Sequence, residues 1–303
     1  MTSSVAVRVA RLSEASARQV VEPDVDLAGE IGDGQVIADP LLSVAGLDLD
    51  LTSDQRQTLS REEVASIVGE GVRFEAVLGA GFNLQIAKEP DLTDPRVVYA
   101  LHELGEETRH SRLFIRLLTQ LQPKAVNPLE RGVLGGVKHW MIGTLIDSPA
   151  LMCVLVLAGE EIPDLFQKLY VEDPRSDPFL RRVNRYHRQE EARHLAFARS
   201  VLPELWARAS WWERARIRWQ APVLIECMFD SLVHPGVYRA AGLPGWRTWW
   251  AVKHTDERLA LRYQATASVL SALVNARAFR PGRIPRVWRR LTGSGRAPAA
   301  GRH

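Results

Sequence analysis

Two short stretches of this sequence carry the residue types of metal chemistry: Glu106-Glu107-Thr108-Arg109-His110 and Glu190-Glu191-Ala192-Arg193-His194. One Glu-x-x-His arises by accident in an ordinary chain, but a five-residue Glu-Glu-x-Arg-His pattern repeated 84 residues further on is much harder to dismiss. Residues three apart share a helix face. Glu107 can therefore bridge two metals while His110 ligates one, and Glu191 with His194 offers the same from a second helix. His187 precedes Glu191 by four residues, one turn, so His187, Glu191 and His194 form one stripe. Arg109 and Arg193 lie about 100° round from the histidines; they should point away from metal, into ion pairs on the bundle surface. A helical bundle that holds two metals also needs one glutamate from each of its two remaining helices.

The elements that would position these residues are helices almost throughout. Asp94-Pro95, Ser148-Pro149 and Asp177-Pro178 each pair a cap residue with proline at the first helical position. A capping box is read at Ser60-Arg61-Glu62-Glu63. With the apolar 3.6-residue period that runs on from each start, these signals predict long helices over 60–88, 95–121, 149–171 and 178–200. At 1.5 Å per residue they run roughly 33–44 Å. A helical or turn-rich link is expected over 128–146, and further helices over 211–232 and 246–279. The fold class is all-α: a long four-helix bundle with additional C-terminal helices. Residues 1–50, broken by Gly29, Gly32, Gly34 and Pro40, read as an irregular arm before a body over 51–279. The Arg/Pro/Gly/Ala stretch over 280–303 lacks apolar residues and reads as a disordered tail.

The missing glutamates are sought by helix face. Glu75 lies on the stripe Val72–Leu78–Phe82 and would point inward, whereas Glu70 faces elsewhere. A buried carboxylate without a partner is costly, so Glu75 calls for one. In the third helix Glu160 and Glu161 come directly after an apolar run, and face arithmetic alone favours Glu161. Metal-bound imidazoles usually donate their other N–H to a carboxylate or carbonyl. Glu226 and Asp230, an i, i+4 pair, are candidates to orient His187 or His194 in that way. Four carboxylates with three imidazoles form an O/N set suited to iron or manganese.

Composition sets the surroundings. The chain has 303 residues, 46% hydrophobic and 25% charged, with a formal net charge of +3. Seven arginines fall within 280–303, and without them 32 basic residues face 36 acidic ones. An acidic body argues against a nucleic-acid partner. Cys153 and Cys227 are too few and too isolated for a disulfide framework or a thiolate metal site, and read as buried small hydrophobes. The longest apolar run, near 149–159, is about half of the ~20 residues that span a bilayer. No signal peptide is evident, so a soluble, cytoplasmic protein is expected. The tryptophan-rich segments Trp206–Trp219 and Trp246–Trp250 read as packing of outer helices or a dimer interface. No Gly-rich dinucleotide fingerprint comes after a strand.

Residues 60–245 resemble the p-aminobenzoate N-oxygenase (AurF-type) diiron oxygenases, within the ferritin-like superfamily. The resemblance rests on Glu75, the Glu107–His110 pair, the Glu160-Glu161 doublet and His187-x3-Glu191-x2-His194. It implies a metal set of Glu75, Glu107, His110, Glu160, His187, Glu191 and His194. Glu160 is preferred there over Glu161 by its separation from His187, against the face argument; Pro163 is a local cause for such a departure. It further implies two iron ions, O2 as co-substrate, an external electron donor, a small-molecule amine substrate oxidised to a hydroxylamine or nitro product, and a homodimer. Two other readings stay open: a diiron hydroxylase or desaturase acting at C–H, and a non-catalytic ferritin-like metal-binding protein.

Overall fold

The computed structural model describes residues 4–132, 136 and 148–294. Among them there is no strand. Helix α1 (Ser4–Arg18) and a short α2 (Pro23–Asp26) precede α3 (Ser53–Lys88) and α4 (Pro95–Leu121). Helices α5 (Pro149–Glu172) and α6 (Pro178–Arg208) come next. The outer elements are α7 (Trp211–Trp219), α8 (Ala221–Ser231), α9 (Pro235–Ala240), α10 (Gly245–Val252), α11 (Asp256–Asn275) and α12 (Arg286–Thr292). The bundle is two helical hairpins, α3 with α4 and α5 with α6, packed on one another; α1 lies against α4 and α6, and α11 against α5. The part of the expected 128–146 link beyond a 3-10 turn at Pro128–Glu130 falls largely outside the described residues.

Local chemistry fixes where the bundle helices begin. Asp94 accepts from the Arg96 N–H, and Asp177 accepts from those of Phe179 and Leu180. Ser148 makes no such side-chain bond. The Glu213 carboxylate at the start of α7 instead accepts from Ala150 N and Leu151 N, at 2.8 and 3.2 Å. Helix α3 starts seven residues before the expected Ser60, behind a capping box of Thr52 and Gln55. Ser60 is interior: its hydroxyl accepts the N–H groups of Val36 and Ile37, tying the N-terminal segment to the bundle. Pro222 and the turn around Lys253–Thr255 divide the two expected C-terminal helices.

Helix α5 is the central element. From Ala150 to Glu160 every residue is buried. Gly159 is required there, because a Cβ would enter the ring of Phe74 on α3. Leu78, Met152 and Val156 form a small apolar cluster between α3 and α5, separate from the main core.

Several expectations are corrected. The arm over 1–50 is not wholly irregular: α1 is helical and Val9 is fully buried against the bundle, so the glycines punctuate only the segment between α2 and α3. The tail does not lose order at 280, since Trp288 and Leu291 of α12 are buried and the Trp288 indole N–H donates to Ile217 O at 3.0 Å. Residues 295–303 lie outside the described residues. Cys227 is exposed, its side chain on the outer face of α8; Cys153 is buried. Trp249 is half-buried, whereas Trp211, Trp212, Trp219, Trp246 and Trp250 are exposed on this chain.

Candidate metal centre

Four helices place one cluster of carboxylates and imidazoles in the bundle interior. Helix α3 brings Glu75, α4 brings Glu107 and His110, α5 brings Glu160, and α6 brings His187, Glu191 and His194; all seven are buried. Glu107 reaches His110 Nδ1 at 3.3 Å and His194 Nδ1 at 3.1 Å. Glu191 reaches the same two atoms at 3.2 and 2.9 Å, and His187 Nε2 at 3.5 Å. Two glutamates from facing helices therefore lie between the same pair of imidazoles. Glu75 stands 3.7 Å from His187 Nε2 and accepts from the Ser111 hydroxyl at 2.5 Å. The Glu160 carboxyl meets that of Glu191.

Glu161 lies outside this cluster. It pairs with Arg199, because a single residue's step turns its side chain from the interior to the α6 surface. Glu226 and Asp230 orient no histidine of the cluster: Glu226 pairs with Arg262 of α11 and Asp230 with Lys253, just after α10, both at 2.6 Å.

The groups that hold the imidazoles are ones the spacing argument passed over. His194 Nε2 meets Glu106 Oε2 at 2.7 Å, and His110 Nε2 meets Glu190 Oε2 at 2.9 Å. The first glutamate of each doublet thus crosses to the histidine of the other helix. Gln167 Oε1 lies 3.0 Å from His187 Nδ1. A ring whose one nitrogen donates to such a partner presents the lone pair of the other to a metal. That leaves Nδ1 of His110 and His194 and Nε2 of His187 facing the interior carboxylates. Arg193 is not a surface ion-pair residue: its guanidinium is mostly buried, binds Glu106 at 2.9 Å and Glu190 at 3.2 Å, and donates to Ser16 of α1. Arg109 approaches Glu190 at 4.0 Å, and the Tyr186 hydroxyl donates to the same glutamate at 2.8 Å.

The electrostatics are set by burial. Desolvation opposes the imidazolium forms of His110 and His194, but the surrounding carboxylates more than offset it and hold both rings well above the usual histidine range. Burial pushes the carboxyls of Glu75 and Glu160 up. It also opposes ionisation of Glu106, but His194 and Arg193 outweigh it and hold that carboxyl down to about 2. Among the described residues, Glu103 Oε2 is buried without a hydrogen-bond donor, and Glu107 Oε1 and Glu191 Oε1 are buried with no well-directed donor, facing ring nitrogens of His194 and His110 at 3.1 and 3.2 Å. Buried acceptors lacking donors are costly unless something cationic meets them. Three groups have ligand atoms mutually within 4.8 Å: Glu75–His110–His187, Glu107–His110–Glu191 and Glu103–Glu107–His194. Each of these groups could hold a metal ion.

A cavity of about 280 Å³ runs between α3, α4, α5 and α6 and is lined by Leu78, Phe82, Met152, Val156 and Phe197, with Glu103 also on its wall. A larger cleft of about 530 Å³, lined by Glu226, Arg262 and Arg290, is open and arginine-rich and lies at the outer helices. The first lies beside the cluster, because Glu103 on its wall is within reach of Glu107 and His194.

The fold and this cluster define an all-α, ferritin-like protein with buried carboxylate–histidine groups able to hold metal. The chain belongs to the p-aminobenzoate N-oxygenase AurF family, whose pattern matches residues 3–276. That family is one of diiron oxygenases. The uncharacterized proteins Rv0885 of Mycobacterium tuberculosis and Mb0909 of Mycobacterium bovis are each 27% identical over 246 residues, covering 75% of this chain and 69% of their own. No solved structure gives a significant match. Among the described residues, no helix is long and apolar enough to cross a membrane.

Proposed function

We propose that this chain is a non-haem diiron oxygenase that transfers oxygen to the nitrogen of a small amine, preferably aromatic, giving a hydroxylamine or nitro product. One observation carries the reading: buried carboxylates and three imidazoles from four helices converge beside an apolar cavity. Glu75, Glu107, His110, Glu160, His187, Glu191 and His194 would hold two metal ions, iron in preference to manganese. When bound, the metal pair supplies O2 activation and oxygen transfer.

The chain's own residues do the rest. Glu106, Glu190 and Gln167 accept the outward N–H of His194, His110 and His187, which sets each ring's tautomer and direction. Leu78, Met152, Val156 and Phe197 exclude water and give an aromatic ring an apolar wall. Reducing equivalents come from an external donor, and the enzyme works as a homodimer in the cytoplasm.

Metal analysis and Mössbauer spectroscopy of protein from iron-rich medium test the centre: about two spin-coupled irons per chain are expected, as in the di-iron bundles. The reduced protein is then exposed to air with p-aminobenzoate and related amines, and products are read by mass spectrometry. Substoichiometric iron removes the reading; a product oxygenated at carbon moves the reaction to C–H.

A further inference from the structure

Glu103 is a buried carboxylate that the seven-donor set does not use. It lies on α4 one turn before Glu107, so Glu103-x3-Glu107-x2-His110 repeats the offsets of His187-x3-Glu191-x2-His194 on α6. Residues three and four apart share a helix face, so Glu103 lies on the face that carries Glu107 and His110. His187 meets Glu75 and His110, while Glu103 meets Glu107 and His194. Its side chain is 1% exposed, and its Oε2 has no hydrogen-bond donor.

The seven-donor set is lopsided. Two imidazoles and Glu75 gather on one side, whereas His194 is the lone imidazole on the other, with Glu160 reaching in from α5. We propose that Glu103 is an eighth donor, completing the half of the centre that contains His194. Each half then has three donors of its own, Glu75, His110 and His187 against Glu103, Glu160 and His194, with Glu107 and Glu191 between them. Glu103 also lines the apolar cavity, so the donor it adds is the one nearest the incoming substrate. A fifth carboxylate carries one negative charge more than two divalent ions offset, which favours the oxidised state of that half. This inference rests on the two-metal reading above.

The test uses the full chain, stripped of metal and titrated anaerobically with Fe(II). Wild type is expected to take up two equivalents with two distinct Mössbauer quadrupole doublets. Glu103→Gln, an isosteric change, should keep the first equivalent and weaken the second by at least about tenfold, the lower bound for losing even a group that only orients a ligand. One doublet should change and the other persist, and the reduction potential should rise. Glu103→Ala, which leaves no amide oxygen to substitute, should lose the second equivalent; helical circular dichroism checks that both variants fold. Glu75→Gln should act on the other doublet. Two-iron uptake by both Glu103 variants with wild-type affinity and wild-type doublets overturns this assignment and leaves the diiron reading standing. A wild-type chain that takes up no iron overturns both.

Discussion

The crossed pairs Glu106–His194 and Glu190–His110 make a quantitative prediction. Each glutamate sits on one helix and holds the histidine of the other, at 2.7 and 2.9 Å, with both partners buried. A hydrogen bond to a charged group contributes roughly 1.5–3 kcal/mol net. At 1.4 kcal/mol per tenfold, that is about 10- to 150-fold in metal affinity. The range agrees with the 10–100-fold commonly lost with a group that orients a ligand. Glu106→Gln keeps an oxygen that can accept from His194 Nε2 but loses the charge, so it should fall near tenfold; Glu106→Ala should fall near a hundredfold. Because the bonds cross, Glu106 variants should weaken the metal bound by His194, and Glu190 variants the one bound by His110. Anaerobic Fe(II) titration by calorimetry, with Mössbauer spectroscopy to identify the affected ion, separates the two. If both alanine variants bind both metals within about threefold of wild type, less than about 0.7 kcal/mol, these glutamates serve only Arg193 and Arg109 and the orienting role is wrong.

Glu63, fully buried beside Ser43, is pushed up from 4.5 to about 7, with burial outweighing the Ser43 donors. The folded chain therefore keeps a proton that the unfolded chain releases, so this contribution is full below pH 4.5 and is lost as pH rises through 7. Glu63→Gln should remove on the order of 3 kcal/mol of that fall, read by urea unfolding from pH 4.5 to 7.5; an unchanged pH slope contradicts the assignment. His234 acts in the opposite sense: burial first and Arg73 second hold it down to about 4, so its contribution is present above pH 6.5 and is lost as pH falls through 4. His234→Gln should flatten the acid limb of the same curve. Gly159→Ala places a methyl into the Phe74 ring and should cost about 1–3 kcal/mol by overpacking, with recovery in the Phe74→Leu background. Equal melting temperatures for Gly159→Ala and wild type would show that α3 and α5 give way there.

Two of the bundle helices were legible to the residue because they begin with local chemistry. Asp94-Pro95 and Asp177-Pro178 place their starts at the residue, and an apolar period carries the helices on. Features that depend on distant partners were not legible. The start of α5 is capped by Glu213, more than sixty residues away, where Ser148 alone would have been the expected cap. Helix α12 packs through Trp288, which is buried and donates to Ile217 O, although its own sequence is too rich in arginine and proline to announce a packed element.

The same distinction governs the site. Face arithmetic on single helices brought Glu75, Glu107, His110, His187, Glu191 and His194 together, since i, i+3 and i+4 relations are internal to a helix. It failed where a side chain's role is set by the facing helix. Glu106 and Glu190 were passed over because a step of one residue turns them from the direction of Glu107 and Glu191; in the packed bundle that turn aims each at the other helix's histidine. Glu161 was favoured by its apolar neighbours, yet Arg199 on α6 takes it. Glu226 and Asp230 had the right chemistry but pack against α11, α12 and Lys253. Glu103 had a signal that could have been used, the four-residue offset before Glu107 that matches His187 before Glu191. The repeated Glu-Glu-x-Arg-His pattern therefore encodes two things at once: its second glutamate and its histidine face the interior of the bundle, and its first glutamate and its arginine lock the register of α4 against α6. A change in that register by one turn would separate all the crossed pairs together, which ties the geometry of the centre to the packing of the fold.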